Sequence, residues 1–414
     1  MAAGAYYLTA KQAADALGVK RATLYAYTSR GQLRSEPVAG RPRERRYYRE
    51  DVQRLKHRQE ARRDPSKAAA LGLHWGGPVL ESSITLIHNG SLYYRGRDAV
   101  KLAETSTAEQ AAALLWTSGT PAAIGDAQRA RLFEQPLPLT LRQLSQLARC
   151  ANEPLTQIQA ALPIGAAADL ASYDLRPAAV QKTGARIIRM MTAIIARHDT
   201  RAPIHRLLQA AWAPKKDAVG DVIRTALVLC ADHELNVSAF TARCAASAGA
   251  SPYDVVSAAM AALKGSKHGG AAERVLTLVA EAESLKSARG ALGIHLRRGE
   301  GVPGFGHPLY PAGDPRAELL VRLAKASGNE PAWRPFQYLL RAGSDLLEDF
   351  PNLDFGLAAV TRTYRLPDQA PLLLFALGRT LGWIAHAIEE YASGQLIRPR
   401  ARYTGPPPPS GRVL

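Results

Sequence analysis

Three histidines of this 414-residue chain stand in polar or glycine-rich breaks between apolar stretches. His233 lies in Asp232-His233-Glu234-Leu235-Asn236, His268 in Gly265-Ser266-Lys267-His268-Gly269-Gly270, and His307 in Gly301-Val302-Pro303-Gly304-Phe305-Gly306-His307. Arginines and one acid, Asp354, occupy similar settings. An imidazole exchanges protons near neutrality, and glycine neighbours let backbone approach a ligand closely, whereas a core histidine normally sits within a periodic helix face. Spacing alone leaves both readings open for each histidine. Arg316, Arg379 and Arg398 read equally as helix-end cations or exposed ion pairs, and Asp354, two residues after Asn352, as a helix cap. There is no His-Glu-x-x-His, no Cys/His cluster at ligand spacing and no P-loop, so no metal site is expected.

The elements that must position these residues are helices. Amphipathic, alanine-rich stretches recur at 108–116, 127–133, 140–150, 177–197, 219–232, 253–263, 272–289, 316–326, 334–346 and 371–392, separated by Gly and Pro. Only Ser83–His88 and Ser91–Arg95, around Asn89-Gly90, predict a hairpin. No Gly-x-Gly-x-x-Gly follows a strand, which argues against a dinucleotide-binding sheet. An all-α body is expected. With 47% hydrophobic and 21% charged residues the chain suits a folded protein of two to four units. The most apolar runs, Ala226–Ala231 and Pro371–Leu377, are too short to cross a bilayer and read as core. The N-terminus lacks the basic leader of a signal peptide, so a cytoplasmic protein without membrane partners is expected. Cys150, Cys230 and Cys244 are too few and too scattered for a disulfide framework and read as reduced core thiols.

Charge is unevenly spread. Residues 1–64 hold three lysines and twelve arginines against seven acids, +8 of the total +17, which is the balance a polyanion partner needs. Thr9 and Gln12 have capping-box spacing, Gly18 ends the helix they start, and a second helix from about Lys20 to Arg30 stops at Gly31. A loop rich in Arg, Gly and Pro, Val38–Arg46, precedes Tyr47-Tyr48 and a third helix near Glu50-Asp51. The segment Arg54–Lys67 reads as a charged helix running into a linker.

Through Tyr7-Leu8-Thr9, Ala13-Ala14, Leu17-Gly18-Val19, Thr23-Leu24-Tyr25, Arg30-Gly31, Arg46-Tyr47 and Asp51-Val52, this region resembles the MerR and excisionase type of winged helix-turn-helix domain. The resemblance implies double-stranded DNA as a partner. Lys20, Arg21, Thr23 and Tyr27 would face it from the second helix, and Arg41, Arg43, Arg45 and Arg46 from the wing.

Residues 79–405 resemble citrate synthase. Seven segments occur in the family's order: Ser83–Asp98 with Ser106-Thr107; Asp232–Asn236; His268-Gly269-Gly270-Ala271; Gly304–His307 with Asp314-Pro315-Arg316; Pro351–Phe355; Arg379–His386; and Arg398-Pro399-Arg400 before Tyr403-Thr404-Gly405. The resemblance implies condensation of acetyl-CoA with oxaloacetate to citrate and CoA, with acetyl-CoA or propionyl-CoA as co-substrate and no permanently bound cofactor. It assigns Asp354 as base, His268 as donor to the enol oxygen and His307 as the group that polarises and protonates the keto oxygen. Arg316, Arg379 and Arg398 would clamp the carboxylates with His233 beside them, Arg398 entering from the neighbouring subunit of a homodimer. Gly304 and Gly306 would border the CoA moiety.

The implied organisation is a helix-turn-helix domain at 1–64, a linker at 65–78, a large helical domain at 79–270 and 369–405, a small one at 271–368, and a disordered Pro-rich tail at 406–414. Two departures from the family pattern border the acyl site, Ala272 where many relatives carry Asn and Pro308 where a basic residue is common. The same catalytic set serves 2-methylcitrate synthases, which use propionyl-CoA. A third class of reading is a transcription regulator in which the synthase fold serves as a dimeric metabolite sensor.

Overall fold

A computed structural model describes residues 7–38, 41–49, 51–53, 55–56, 80–117, 132–265, 268–401 and 404–406. The expected linker 65–78, most of the helix expected at 127–133 and tail residues 407–414 lie outside the described residues. So do the side chains of Arg41 and Arg43.

The N-terminal region has its own core of Leu8, Ala13, Leu17, Leu24, Leu33, Tyr47 and Val52. Thr9 caps the helix Ala10–Leu17 in a reciprocal capping box with Gln12, and Gly18 closes it with φ 64°, a left-handed conformation that costs glycine little. The second helix is Arg21–Ser29. The stretch expected as a loop, Val38–Arg46, is largely strand: Arg41–Tyr48 is the centre of a three-stranded antiparallel sheet, flanked by Tyr7–Thr9 and Ser35–Val38. Alternation decides this, because Tyr47 inserts into the core while Arg46 and Tyr48 face outward to Glu36. Asp51, at the start of the next helical turn, receives the Arg34 guanidinium through two bonds of 2.8 and 2.9 Å and its backbone N–H at 2.9 Å.

The body is helical, with one small sheet formed by Thr85–His88, Ser91–Tyr94 and Arg97–Asp98. Asn89 and Gly90, both at positive φ, make the turn that their sequence foretells. At the centre runs the helix Ala370–Ser393. It is long and apolar enough to cross a membrane by length and composition, but 94% of its apolar window is buried in the protein, so it is a core helix. Small residues let its neighbours approach. A Cβ on Gly184, in the helix Pro177–Ala196, would lie 2.8 Å from Ile384, and one on Gly378 would lie 2.6 Å from the Leu227 carbonyl. Trp116, fully buried, donates its indole N–H to the Leu381 carbonyl at 2.8 Å.

The stretch 272–289, expected as one helix, is two. Ala271–Ser284 stops at Leu285, Lys286 takes φ 49°, and Ser287 caps Ala288–Arg297. Helices Pro315–Lys325, Glu330–Leu346 and Leu353–Tyr364 complete this part, the first and last in contact where a Cβ on Gly356 would lie 2.8 Å from Leu320. Of the cysteines only Cys230 is fully buried; Cys150 is exposed at a helix end, against the expectation that all three are core.

Gly382 sits at one of the tightest junctions in the body. A Cβ there would lie 2.4 Å from the Ala231 carbonyl and 2.5 Å from Asp232 Oδ1, while its own N–H donates to Ala231 at 3.0 Å. Gly382→Ala is therefore expected to lower stability by about 1–3 kcal/mol, read from thermal unfolding. A melting temperature equal to that of wild type would contradict this packing.

Candidate active site

The turn 230–236 carries the first candidate. It follows the helix Asp217–Leu229, and Asn236 caps the next helix, Val237–Ser247, accepting N–H bonds from Ser238 and Ala239 at 3.1 Å. His233 is buried, and its Nε2 lies 3.0 Å from the Tyr310 hydroxyl. Its ring meets that of His307 edge-on, with centroids 5.0 Å apart. His307 in turn packs on Tyr310 at 5.0 Å, and its Nδ1 accepts the Leu309 backbone N–H at 3.2 Å. In the neutral ring this leaves the proton on Nε2.

His268 stands before the helix Ala271–Ser284. Its Nε2 is 2.9 Å from Ser238 Oγ, which also lies 2.7 Å from Asn236 Oδ1 and accepts the Trp383 indole N–H at 3.2 Å. The one proton of Ser238 goes either to Asn236 or to His268. Given to His268, it puts the ring proton on Nδ1, which has no partner among the described residues.

Two guanidinium groups close the cluster. Arg316, 3% exposed, is held by Asp314 through bonds of 2.9 and 2.8 Å, and the same carboxylate accepts the N–H groups of Arg316 and Leu353. Arg379, 1% exposed, donates through Nε to the Cys230 carbonyl at 2.8 Å and lies 4.6 Å from the centre of the Phe375 ring. Its two terminal nitrogens have no protein acceptor among the described residues. A buried cation in that condition is set up to receive an anion.

These charges set the protonation of their neighbours. Burial, aided by Arg379, pushes His268 down to about 4; burial and Arg316 do the same for His307, to about 4. His233 falls well below its ordinary value through burial, Arg316 and His307. Asp354, second residue of the helix Leu353–Tyr364, moves the other way: burial raises its carboxyl to about 6, with Asp314 adding and Arg316 opposing. It is Asn352 that caps this helix, accepting the Asp354 and Phe355 N–H groups at 3.1 and 3.4 Å. Burial would raise Asp314 too, but Arg316 holds it below the usual carboxylate range. Three neutral imidazoles, two cations and one carboxyl of raised pKa thus share one region: His307 and Asp354 both feel Arg316, while His268 and Asp354 both feel Arg379.

Six further candidates lie outside the hydrogen-bonded cluster or have protein partners of their own. Arg398 is exposed in the irregular segment after the last helix. Gly304 and Gly306, at φ 84° and 77°, permit close approach to the protein itself: a Cβ would lie 2.7 Å from Val275 and 2.8 Å from Asp349, respectively. Tyr27 is half-buried against the N-terminal core, and Tyr25, 52% exposed, takes the outward position beside Lys20, Arg21 and Thr23. Arg45 is bonded to Ser35, and Arg46 is held by Glu36 at 2.6 Å over the Tyr7 ring at 4.0 Å. Among the described residues no group of three or more His, Cys, Asp or Glu could hold a metal ion. A surface cavity of about 480 Å³ at the C-terminal end of Ala370–Ser393, lined by Leu175, Arg176, Tyr391 and Gln395, shares no residue with the cluster.

The family model for the citrate synthase C-terminal domain matches residues 72–400. The chain belongs to the citrate synthase family. A second model, a helix-turn-helix domain, matches residues 7–60. Citrate synthase of Haloferax volcanii is 30% identical over 362 residues, covering 79% of this chain and 93% of that protein. The citrate/2-methylcitrate synthase of Bacillus subtilis is 28% identical over 343 residues, covering 77% and 91%. The solved citrate synthase of Thermoplasma acidophilum, in ternary complex with carboxymethyl coenzyme A and oxaloacetate, superposes with a TM-score of 0.70 at 23% identity over 81% of this chain and 96% of its own. The expected synthase fold is therefore present, preceded by the helix-turn-helix.

Residues that the sequence reading did not single out complete the synthase site. Tyr310 hydrogen-bonds His233 and packs on His307, Ser238 lies within hydrogen-bond distance of His268, and Asp314 neutralises Arg316. Asp314-Pro315-Arg316 signals its pairing in sequence by a helix-capping acid two residues before a cation; Tyr310 and Ser238 carry no such signal.

The raised Asp354 pKa has two consequences. In the role of base that the resemblance implies for Asp354, kcat/KM falls as pH drops through about 6, by one proton, while His268 and His307 stay neutral down to about 4. A carboxyl whose folded pKa exceeds its unfolded value stabilises the fold only at low pH, and this contribution is lost as pH rises from about 4 through 6. Asp354→Asn is thus expected to be inactive yet about 1–3 kcal/mol more stable than wild type at pH 7.5, measured by denaturant unfolding.

Proposed function

We propose that the chain is a citrate synthase that condenses acetyl-CoA with oxaloacetate and releases citrate and CoA in the cytoplasm, with no resident cofactor. The observation that carries the reading is the pair Arg316 and Arg379, buried together beside three neutral imidazoles, with the terminal nitrogens of Arg379 unmatched. A dianionic ketoacid supplies what they lack. The ionised Asp354 takes a proton from the thioester methyl group, and His268, with its proton on Nδ1 through Ser238, donates to the enol oxygen. The enol carbon then attacks the keto carbon, forming the carbon–carbon bond, while His307 gives its Nε2 proton to the former keto oxygen. Water cleaves the resulting thioester to citrate and CoA. His233, tied to Tyr310, hydrogen-bonds the ketoacid. Helices between 271 and 368 would form a small domain that closes over the larger remainder once the ketoacid is bound, excluding water from Asp354.

Arg398, exposed in its own chain, completes the clamp in a second copy. Leu170 and Tyr173, 76% and 71% exposed, give the apolar surface such a homodimer would cover. Purified protein given both substrates is expected to release free thiol, and Asp354→Ala to lose at least ~10²-fold in rate. Mixed dimers of Arg398→Ala and Asp354→Ala chains should regain one intact site of two, so their activity exceeds that of either parent; mixing without gain would reject the shared site. Propionyl-CoA in the same assay separates a citrate from a 2-methylcitrate synthase. Thiol release with neither acyl-CoA would defeat the enzyme reading.

A second reading adds DNA. Lys20, Arg21, Thr23 and Tyr25 are exposed at the N-terminal half of the second helix, and the wing strand bears Arg41, Arg43, Arg45 and Arg46. Tyr48 of that strand stacks on His88 of the synthase hairpin, centroids 6.4 Å apart, and the same hairpin bonds to Asp232 and Glu234 beside His233. Site occupancy and DNA affinity would then be linked reciprocally. Retention on double-stranded DNA from upstream of the coding region should weaken steeply with salt, fall for Arg21→Ala, and change when oxaloacetate is added. Indifference to DNA at every salt concentration would leave the N-terminal domain as a subunit contact.

A further inference from the structure

None of the steps above uses the buried pair Asp232 and His386. Both are fully buried, and His386 Nε2 lies 3.2 Å from Asp232 Oδ1. A carboxylate only accepts, so Nε2 is the donor, and Nδ1 is left buried with no partner. The other carboxylate oxygen accepts the Thr85 hydroxyl at 2.5 Å, and the Asp232 carbonyl accepts the Tyr94 hydroxyl at 3.2 Å. Asp232 is the immediate neighbour of His233.

The turn is therefore fastened to the central helix at three successive points. Arg379 Nε donates to the Cys230 carbonyl, the Gly382 N–H to the Ala231 carbonyl, and His386 Nε2 to the Asp232 carboxylate. The three helix positions are three and four residues apart, which places them on one face. The first bond sets the guanidinium, the second sets the distance, and the third is the only one of the three that reaches a side chain of the turn. Burial would raise Asp232, but His386 and Arg379 hold its carboxyl below the ordinary range.

We infer that His386 is a positioning residue for the ketoacid: through Asp232 it fixes the angle at which the turn presents His233 opposite Arg379. It touches no substrate itself. The inference rests on the oxaloacetate reading of the cluster, and its effect falls mainly on one substrate, because the turn carries His233 directly, reaches His268 only through Asn236 and Ser238, and does not carry Asp354.

Steady-state kinetics of the full chain with oxaloacetate and acetyl-CoA test it. His386→Leu is expected to raise KM for oxaloacetate at least about tenfold, with KM for acetyl-CoA within about twofold and kcat within about threefold. His386→Gln, whose amide can donate to the same oxygen, should recover most of the loss. Thr85→Val, which removes the other carboxylate bond, should shift the same constant in the same direction by less. A plain loss of folded protein would lower kcat and leave both KM values alone. The inference is overturned if KM for oxaloacetate stays within twofold in His386→Leu, or if Gln is no better than Leu. Should His386→Leu not fold, an unchanged KM in Thr85→Val overturns it equally. If wild type binds oxaloacetate by calorimetry but releases no thiol, the synthase reading alone fails, and the ratio of dissociation constants between wild type and His386→Leu decides the inference.

Discussion

Two guanidinium groups buried almost completely within one cluster are the constraint on which the rest of the site depends. An unpaired buried cation costs several kcal/mol, so the chain must provide compensation that still leaves room for a ligand. It does so unequally. Arg316 has a full partner in Asp314, which also ties down Leu353 at the start of the Asp354 helix. Arg379 has one carbonyl, one aromatic face and the more distant charge of Asp232. Burial above all, and these two cations after it, keep the three histidines neutral, since a protonated ring would add a third buried cation. A neutral imidazole can still donate one hydrogen bond, which is all that the enol and keto oxygens require.

The Asp354 carboxyl answers the same field differently. Asp354 lies near both arginines, which favour its charge, yet burial dominates and raises its pKa to about 6. A base of that strength is ionised near neutrality and stronger than an exposed aspartate. Its placement is inexpensive in backbone terms, because Asn352 caps the helix and spares Asp354 for chemistry. Asn352, not Asp354, is the cap, and the two residues divide the work.

Legibility in the sequence followed the locality of the signal. Thr9 with Gln12, Gly18, and Asn89-Gly90 each act within four residues, and the elements they define stand where periodicity placed them. Helix Pro154–Ala168 went unread because Pro163 and Gly165 look like breakers, whereas Gly165 is needed to pass Tyr253 at 3.1 Å. Helix Val237–Ser247 has small residues on most faces, so no apolar stripe marks it. The wing was mistaken for a loop because its strand is half arginine, and only pairing with Ser35–Val38 and the burial of Tyr47 reveal it. Among site residues the histidines and arginines were legible from motif context. Tyr310 and Ser238 were not, since a hydroxyl that orients a ring 30 or 77 residues away leaves no local trace.

The central helix shows why this fold requires its glycines. Positions 378, 379, 382 and 386 fall along one face of Ala370–Ser393, and each meets the segment 227–232. Gly378 and Gly382 bring two backbones into contact where any side chain would separate them, and only at that distance can Arg379 reach Cys230 and His386 reach Asp232. Close packing of the helix and placement of the Arg379 guanidinium are consequently one property, not two. A substitution that loosened the helix by an ångström would cost stability modestly and positioning far more, because carboxylate recognition by a guanidinium fork depends on geometry as well as charge. The glycine-bearing face thus joins the core stretch Pro371–Leu377 to the motif Arg379–His386 in one packed surface against the turn.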